Sequence, residues 1–274
     1  MTATLQHEGA VLHRDQVLRA LDVVIDPELD EPITDLGFVR SVAVSTDGAV
    51  EVHLRLPTSF CSPNFAYLMA SDAKDALVAL NGGRPVLVEL DDHHDSGIIN
   101  AGLAADAGYK GTFRHEAQDD LEELRQTFRR KAHTAAGERA LTALLRARAD
   151  LTEADVTTVR LRDVPEGPQR EALVRRRRGV GLDDDPDSLV LVDHTGQGYA
   201  EADGPLRLRL ARSTRISIDG NAHFCRGLLR TRYPGSEADQ VNRPEGAEPA
   251  DAAYDPTFLP VPTVPTRTHE EAPK

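Results

Sequence analysis

From His13 to Ile25, apolar side chains recur at Val17, Leu21 and Val24, with Leu18 and Ile25 beside them, which is the spacing of one helical face. Pro27 removes a backbone donor and restricts the residue before it, so this helix is expected to stop by Asp26. After Pro32 and Gly37 the period changes. Phe38 to Val44 reads as a strand with Val42 and Val44 on one face, and Asp47-Gly48 marks a tight hairpin turn. Val50, Val52, Leu54 and Leu56 then alternate with Glu51, His53 and Arg55, as in a half-buried antiparallel strand. Ser62-Pro63 supplies a cap and a first-turn proline for a second helix, whose apolar side runs through Phe65, Leu68, Met69, Leu77 and Leu80 to a stop at Asn81-Gly82. Val86, Val88 and Leu90 form a third strand. This order predicts a small two-layer α/β domain with a mixed sheet, helices covering one face, over residues 10–96.

Beyond it the pattern is less regular. Gly97, Gly102, Gly108 and Gly111 interrupt residues 97–118, which are expected to form a glycine-rich linker or flap. Ala117 to Ala149 predicts a helix with an interruption near Gly137. Thr152 is placed to cap a short helix, and residues 157–161, 188–193, 206–210 and 212–218 read as strands before a helix over 221–232. Together these predict a second, mixed α+β domain over 119–234. Met1 to Gly9 reads as a loose leader. Residues 235–274, rich in Pro, Glu, Asp and Ala, have one apolar cluster, Phe258 to Pro262, and are expected to be a flexible acidic, proline-rich tail.

Composition narrows the function classes. Aromatics make up 4% of the 274 residues and tryptophan is absent, so the core must be built from Val, Leu and Ala. Asp and Glu number 45 against 32 Lys and Arg, a formal charge of -13 that argues against nucleic acid or an anionic membrane as partner. No apolar run approaches the length of a bilayer span, and Met1 to Arg14 lacks a signal-peptide core, so a cytoplasmic location is expected. The two cysteines, Cys61 and Cys225, do not make a disulfide framework and are expected to be free thiols in a reducing compartment.

The most distinctive stretch is Asp26-Pro27-Glu28-Leu29, continuing to Pro32-Ile33-Thr34-Asp35-Leu36-Gly37. It is followed, past the hairpin, by Thr58-Ser59-Phe60-Cys61-Ser62-Pro63. This combination resembles the PaaD-like iron–sulfur cluster assembly domain family, over roughly His13 to Asp92. The resemblance implies a small domain concerned with maturing iron–sulfur proteins or metal-containing oxygenase components. In the cysteine segment this chain departs from the family pattern, since Ser62 separates Cys61 from Pro63 where Cys-Pro is usual.

A thiol just before a helix start faces unbonded backbone N–H groups and the positive end of the dipole, which favour the thiolate that binds iron. Cys61 is therefore the candidate ligand for a transient iron or iron–sulfur cluster. One cysteine cannot fill a cluster's shell, so a homodimer or a client protein would have to complete it. The plain alternative is an inert cysteine in the helix–sheet seam. Asp26, Glu28, Asp35 and Thr58 are candidate client-binding residues; for Asp26 and Asp35 the competing role is capping the loop's own backbone. His93 and His94, inside Asp91 to Asp95, and Cys225 are further candidate metal ligands. Against this, adjacent residues on an extended chain point to opposite sides, and His223 and Cys225, two apart on a helix, do not face each other. The run Arg175 to Arg178 reads as a solvated helix end answered by Asp183, Asp184 and Asp185, or as a grip for an acidic partner. No HExxH, paired CxxC or repeated ExxH motif is present to support a metalloenzyme.

The sequence thus predicts a non-enzymatic metallocentre assembly factor with a client metalloprotein or iron–sulfur assembly proteins as partners. A metal-free interaction adaptor and a thiol- or metal-dependent enzyme using Cys61 with His93 and His94 are the alternatives.

Overall fold

A computed structural model describes residues 12–114 and 121–241. The expected leader and most of the expected tail, including Phe258 to Pro262, lie outside the described residues. The fold is mixed α/β with a three-stranded mixed sheet.

The first helix, α1 (Arg14–Leu21), is shorter than its periodicity predicts. Asp22 ends it, and its carboxylate accepts a 2.5 Å hydrogen bond from Thr34, which draws the chain into a turn. Ile25 and Asp26 leave the helix to form a two-residue strand, β1 (Ile25–Asp26), paired antiparallel with β2 (Glu31–Pro32). The segment from Asp26 to Glu31 is thereby pinched into a closed loop.

The hairpin forms as its local chemistry predicts. β3 (Val39–Val44) pairs antiparallel with β4 (Val50–Arg55), and Gly48 takes a φ of +84° in the turn. Helix α2 (Pro63–Asn81) starts at a proline and stops at Gly82, whose φ is +60°. It crosses back to β5 (Val86–Asp91), which lies parallel to β4 with Val52 beside Val88 and Leu54 beside Leu90. Val50, Val52, Leu54, Val88 and Leu90 point into the core against α2, leaving Glu51 to solvent.

Residues 97–113 correct one expectation. They form helices α3 (Ser96–Ala104) and α4 (Gly108–Phe113), packed on the first core through Ile99, Leu103 and Phe113, where a glycine-rich linker or flap was predicted. Gly102 serves the contact between these helices, since a Cβ there would lie 2.0 Å from Thr112 Oγ1.

The second half is built on three helices. α5 (Leu121–Ala147) runs unbroken through Gly137, so the predicted interruption does not occur. α6 (Pro168–Gly179) packs against it, and so does α7 (Gly204–Arg232). The strands predicted for 206–210 and 212–218 lie inside α7. Its Leu/Arg alternation imitates a strand, but burial falls on Leu208, Ala211, Ile218, Ala222 and Leu229, a helical period. The strands predicted for 157–161 and 188–193 reduce to 3-10 turns and the isolated bridges Arg160–Leu189 and Val192–Gly198. A second core gathers Leu141, Leu144, Val156, Leu161, Leu173 and Leu208, whereas Ala222 and Leu229 at the far end of α7 belong to the first core. α7 therefore spans both.

Between α5 and α7 sits Glu138, with no solvent exposure. It accepts from Arg212 Nε at 3.1 Å, Arg215 Nε at 2.5 Å and Thr142 Oγ1 at 2.7 Å. Removing that carboxylate takes the buried acceptor from two arginines, leaving Arg212 on Glu153 and Arg215 on Asp219, so Glu138→Ala is expected to lower stability by about 1–3 kcal/mol. Urea denaturation of the full chain checks this; a change below about 1 kcal/mol would show that Glu153 and Asp219 suffice for the two arginines.

Candidate functional site

The acidic loop, residues 26–31, is organised by its first carboxylate. Asp26 is 6% exposed, and its Oδ1 accepts from the backbone N–H of Glu28 and of Leu29, each at 2.9 Å. Its carbonyl accepts from Asp30 N at 2.9 Å, and Asp30 takes a φ of +55° to close the turn. Burial pushes the Asp26 carboxyl up to about 7; the two N–H donors oppose the shift, and the charges of Glu28 and Glu31 add to it. Asp35 is also buried, and its carbonyl accepts from Val241 N at 2.9 Å. Glu28 is the exposed member of the set.

The cysteine loop follows β4. Thr58 Oγ1 accepts from Phe60 N at 3.2 Å and lies 3.5 Å from Cys61 Sγ. The backbone of Ser59 accepts from His94 N at 2.9 Å. His93 Nδ1 accepts from Asp95 N at 3.1 Å, so Nε2 carries the proton and donates to the Cys61 carbonyl at 2.8 Å. Both ring nitrogens of His93 are thus used in holding the loop, and the predicted metal-ligand role does not fit this arrangement. His94 is exposed, with its ring 5.8 Å from that of Phe60, which is itself 80% exposed. Cys61 is half-buried on the flank of the first core, one residue before the α2 cap Ser62, and Ser62 makes no side-chain cap bond.

The last three turns of α7 close over both loops. Asn221 donates to Glu28 Oε1 at 3.2 Å. Arg226 grips Glu31 with both terminal nitrogens, Nη1 to Oε1 at 2.9 Å and Nη2 to Oε2. Arg232 donates to the Leu56 carbonyl at 3.1 Å, to Ser59 Oγ at 2.8 Å and to the Asp92 carbonyl. Tyr233 adds a 3.0 Å bond to Asp92. From below, Arg55 pairs with Asp239 at 2.6 Å. Gly37 lies under this cover with a φ of +76°, and a Cβ there would meet Gln240 at 2.9 Å and Leu229 at 3.3 Å. Cys225 sits half-buried on the same helix. Burial pushes its thiol up to about 12, with smaller contributions from the charges of Asp26, Cys61 and Glu28.

The structure therefore brings Asp26, Glu28, Thr58, Cys61 and Cys225 into one neighbourhood, with His93 behind the cysteine loop. Among the described residues, no group of three or more His, Cys, Asp and Glu side chains is arranged to hold a metal ion. Of the arginine run, Arg178 pairs with Asp184 at 2.6 Å as the helix-end reading predicts. Arg177 is instead buried on the carbonyls of Asp183 and Leu189, and Arg176 reaches Asp30 at 2.9 Å. The clamping residues Asn221, Arg226 and Arg232 are absent from the predicted set; the signal that points to them is charge complementarity between the basic end of α7 and the acidic loop.

Comparison with known proteins bears on the first third of the chain. Residues 14–90 match the family described as "Iron-sulfur cluster assembly protein". An uncharacterized protein of Methanocaldococcus jannaschii is 35% identical over 80 residues, covering 29% of this chain and 82% of that protein. The iron-sulfur cluster carrier proteins of Mycobacterium tuberculosis and Mycobacterium bovis are 50% identical over 42 residues, which is 15% of this chain and 11% of each carrier. No solved structure matches the chain. No helix among the described residues is long and apolar enough to cross a membrane.

Asp26 gives this site a pH signature. Its folded value lies above the ordinary 3.8, so its contribution to stability is complete below the unfolded value and is lost as pH rises through about 7. Asp26→Asn retains a side-chain oxygen acceptor and cannot ionise. The variant is expected to gain on the parent chain between pH 5 and pH 8, ending about 1–3 kcal/mol ahead of its pH 5 difference. Urea midpoints at the two pH values test this, and a pH-independent difference would contradict it.

Proposed function

Because this chain belongs to the iron–sulfur cluster assembly protein family through residues 14–90, we propose that it is a non-catalytic maturation factor. It passes iron or an iron–sulfur cluster to a client metalloprotein, of which an oxygenase component is one candidate. Cys61 is the contact for the cargo. The observation that supports this reading is the setting of that thiol: half-exposed, next to a helix start, on a loop fixed by His93 and Arg232, with the exposed ring of Phe60 beside it. Such a thiol is presented without being locked into a complete shell. A cluster held by few protein ligands leaves readily, as transfer requires.

The exposed Glu28 edge of the acidic loop, with Thr58 nearby, is the surface offered to the client; Asp26 and Asp35 act from inside by fixing the loop's shape. The helical second half selects the client, and a reducing cytoplasm is the compartment in which both thiols remain available. A metal-free docking adaptor is the second reading, favoured by the lack of any three-donor group among the described residues.

Anaerobic reconstitution separates the two. The full chain loaded with iron and sulfide is expected to carry both, to lose them to an apo-acceptor, and to fall to background in Cys61→Ser. Equal, negligible iron and sulfide in parent and variant would leave the adaptor as the answer.

A further inference from the structure

Cys225 lies near Cys61, and the reading above leaves it without a task. On α7 the residues Ile218, Asn221, Cys225, Leu229 and Arg232 follow at spacings of three and four, which places them along a single stripe. The two ends of the stripe are tied to different loops. Asn221 bonds Glu28 in the acidic loop, and Arg232 bonds the Leu56 carbonyl and Ser59 Oγ in the cysteine loop. Cys225 stands between those ties, about 6 Å along the axis from Asn221, and so faces the seam between the two loops. Leu229, next on the stripe, is fully buried in the first core, and both Cys61 and Cys225 pack on the edge of that core. The thiols thus approach the same seam from opposite sides, one from the sheet domain and one from the long helix.

We propose that Cys61 and Cys225 form one two-thiol site within a single chain, a half-shell for a thiophilic metal cargo of the iron type. This rests on the maturation reading and adds to it that the second sulfur comes from α7 in cis, where a homodimer or a client protein was expected to complete the shell. On binding, each thiol releases its S–H proton to solvent and forms a sulfur–metal bond, with no change of oxidation state. The remaining coordination positions are filled by small ligands or by the receiving protein, consistent with the absence of a third donor among the described residues. Two bonds hold the cargo within the monomer, and two open positions let an acceptor's cysteines take it by ligand exchange.

The test uses the full reduced chain and two probes. Dibromobimane, which fluoresces only after bridging two thiols, is expected to bridge Cys61 to Cys225 in the native monomer and to give no signal in Cys61→Ser or Cys225→Ser. Cobalt(II) alone is expected to give a sulfur-to-metal charge-transfer band in the parent. Losing a direct ligand should cost at least the ~10–100-fold that loss of an outer partner does, so Cys225→Ser and Cys225→Ala should both bind cobalt at least about tenfold more weakly. An absent bimane bridge in the native chain, or full cobalt affinity in both Cys225 variants alongside loss in Cys61→Ser, overturns the two-thiol site while leaving Cys61 as the carrier. Retention of the band in Cys61→Ser overturns the maturation reading itself.

Discussion

The grip of Arg226 on Glu31, flanked by Asn221 on Glu28 and Arg232 on the cysteine loop, is the constraint from which the rest of this molecule follows. It converts a small sheet domain and a helical second half into one continuous framework, with α7 as the shared member of two cores. A chain with 4% aromatic residues and no tryptophan has few large side chains with which to weld such a seam. It uses guanidinium groups instead. Arg55, Arg177 and Arg226 are all buried, each bonded to carbonyls or carboxylates, and their planar, multi-donor heads bridge several chain segments at once. Buried ion pairs of this kind add little net stability compared with apolar packing, yet leaving one partner alone is costly. Their contribution is to fix register: α7 docks with Arg226 opposite Glu31 or the seam holds an uncompensated charge.

That register determines the setting of Cys61. The sulfur would be an ordinary edge-of-core cysteine if the loop that carries it were loose. It is held from one side by His93 through its own carbonyl and from the other by Arg232 through Leu56 and Ser59. The acidic loop next to it is shaped from within by Asp26, whose burial leaves Glu28 facing outward. The family signature here is therefore mostly architecture. Asp26 and Asp35 shape the loop from inside, and the glycine of the Asp35-Leu36-Gly37 turn makes room for Leu229 and Gln240. The side chains available for chemistry are few, and two of them are sulfurs.

How far this was legible in the sequence depends on how local the deciding interaction is. The hairpin was legible because Asp47-Gly48 and the alternation of Val50, Val52 and Leu54 carry their own instructions. So was α2, with its proline start and glycine stop. The first half of α7 was not: Leu206, Leu208 and Leu210 alternate with arginines like a strand, and only contact with α5 decides that Leu208 alone of the three is buried. Glycines over 97–113 signalled a linker because their weak helix propensity is local, whereas Gly102 is selected by the approach of Thr112 from another helix. In the site, the acidic loop and Cys61 were legible from their motif. The clamp was not, since Glu28 and Asn221 are 193 residues apart and Glu31 and Arg226 are 195 apart. The opposite charges at the two places can be read in the sequence, but which of them pair across that separation is decided only by the folded chain.

The size of the related proteins sharpens this last point. The Methanocaldococcus jannaschii relative matches over 80 residues, and the family match ends at residue 90, so the module needs neither α7 nor its arginines to be recognised. In this chain, however, the module's loops are not left open; Arg226, Arg232 and Cys225 arrive from well outside it. A short domain with one thiol must find a second copy or a client to complete any metal shell. A domain carrying its own helix across the site can keep a second sulfur permanently in place, at a local concentration no separate partner matches. The helical extension is tied to both loops of the module, Arg226 to the acidic loop and Arg232 to the cysteine loop, so the seat of α7 and the position of Cys61 are set together.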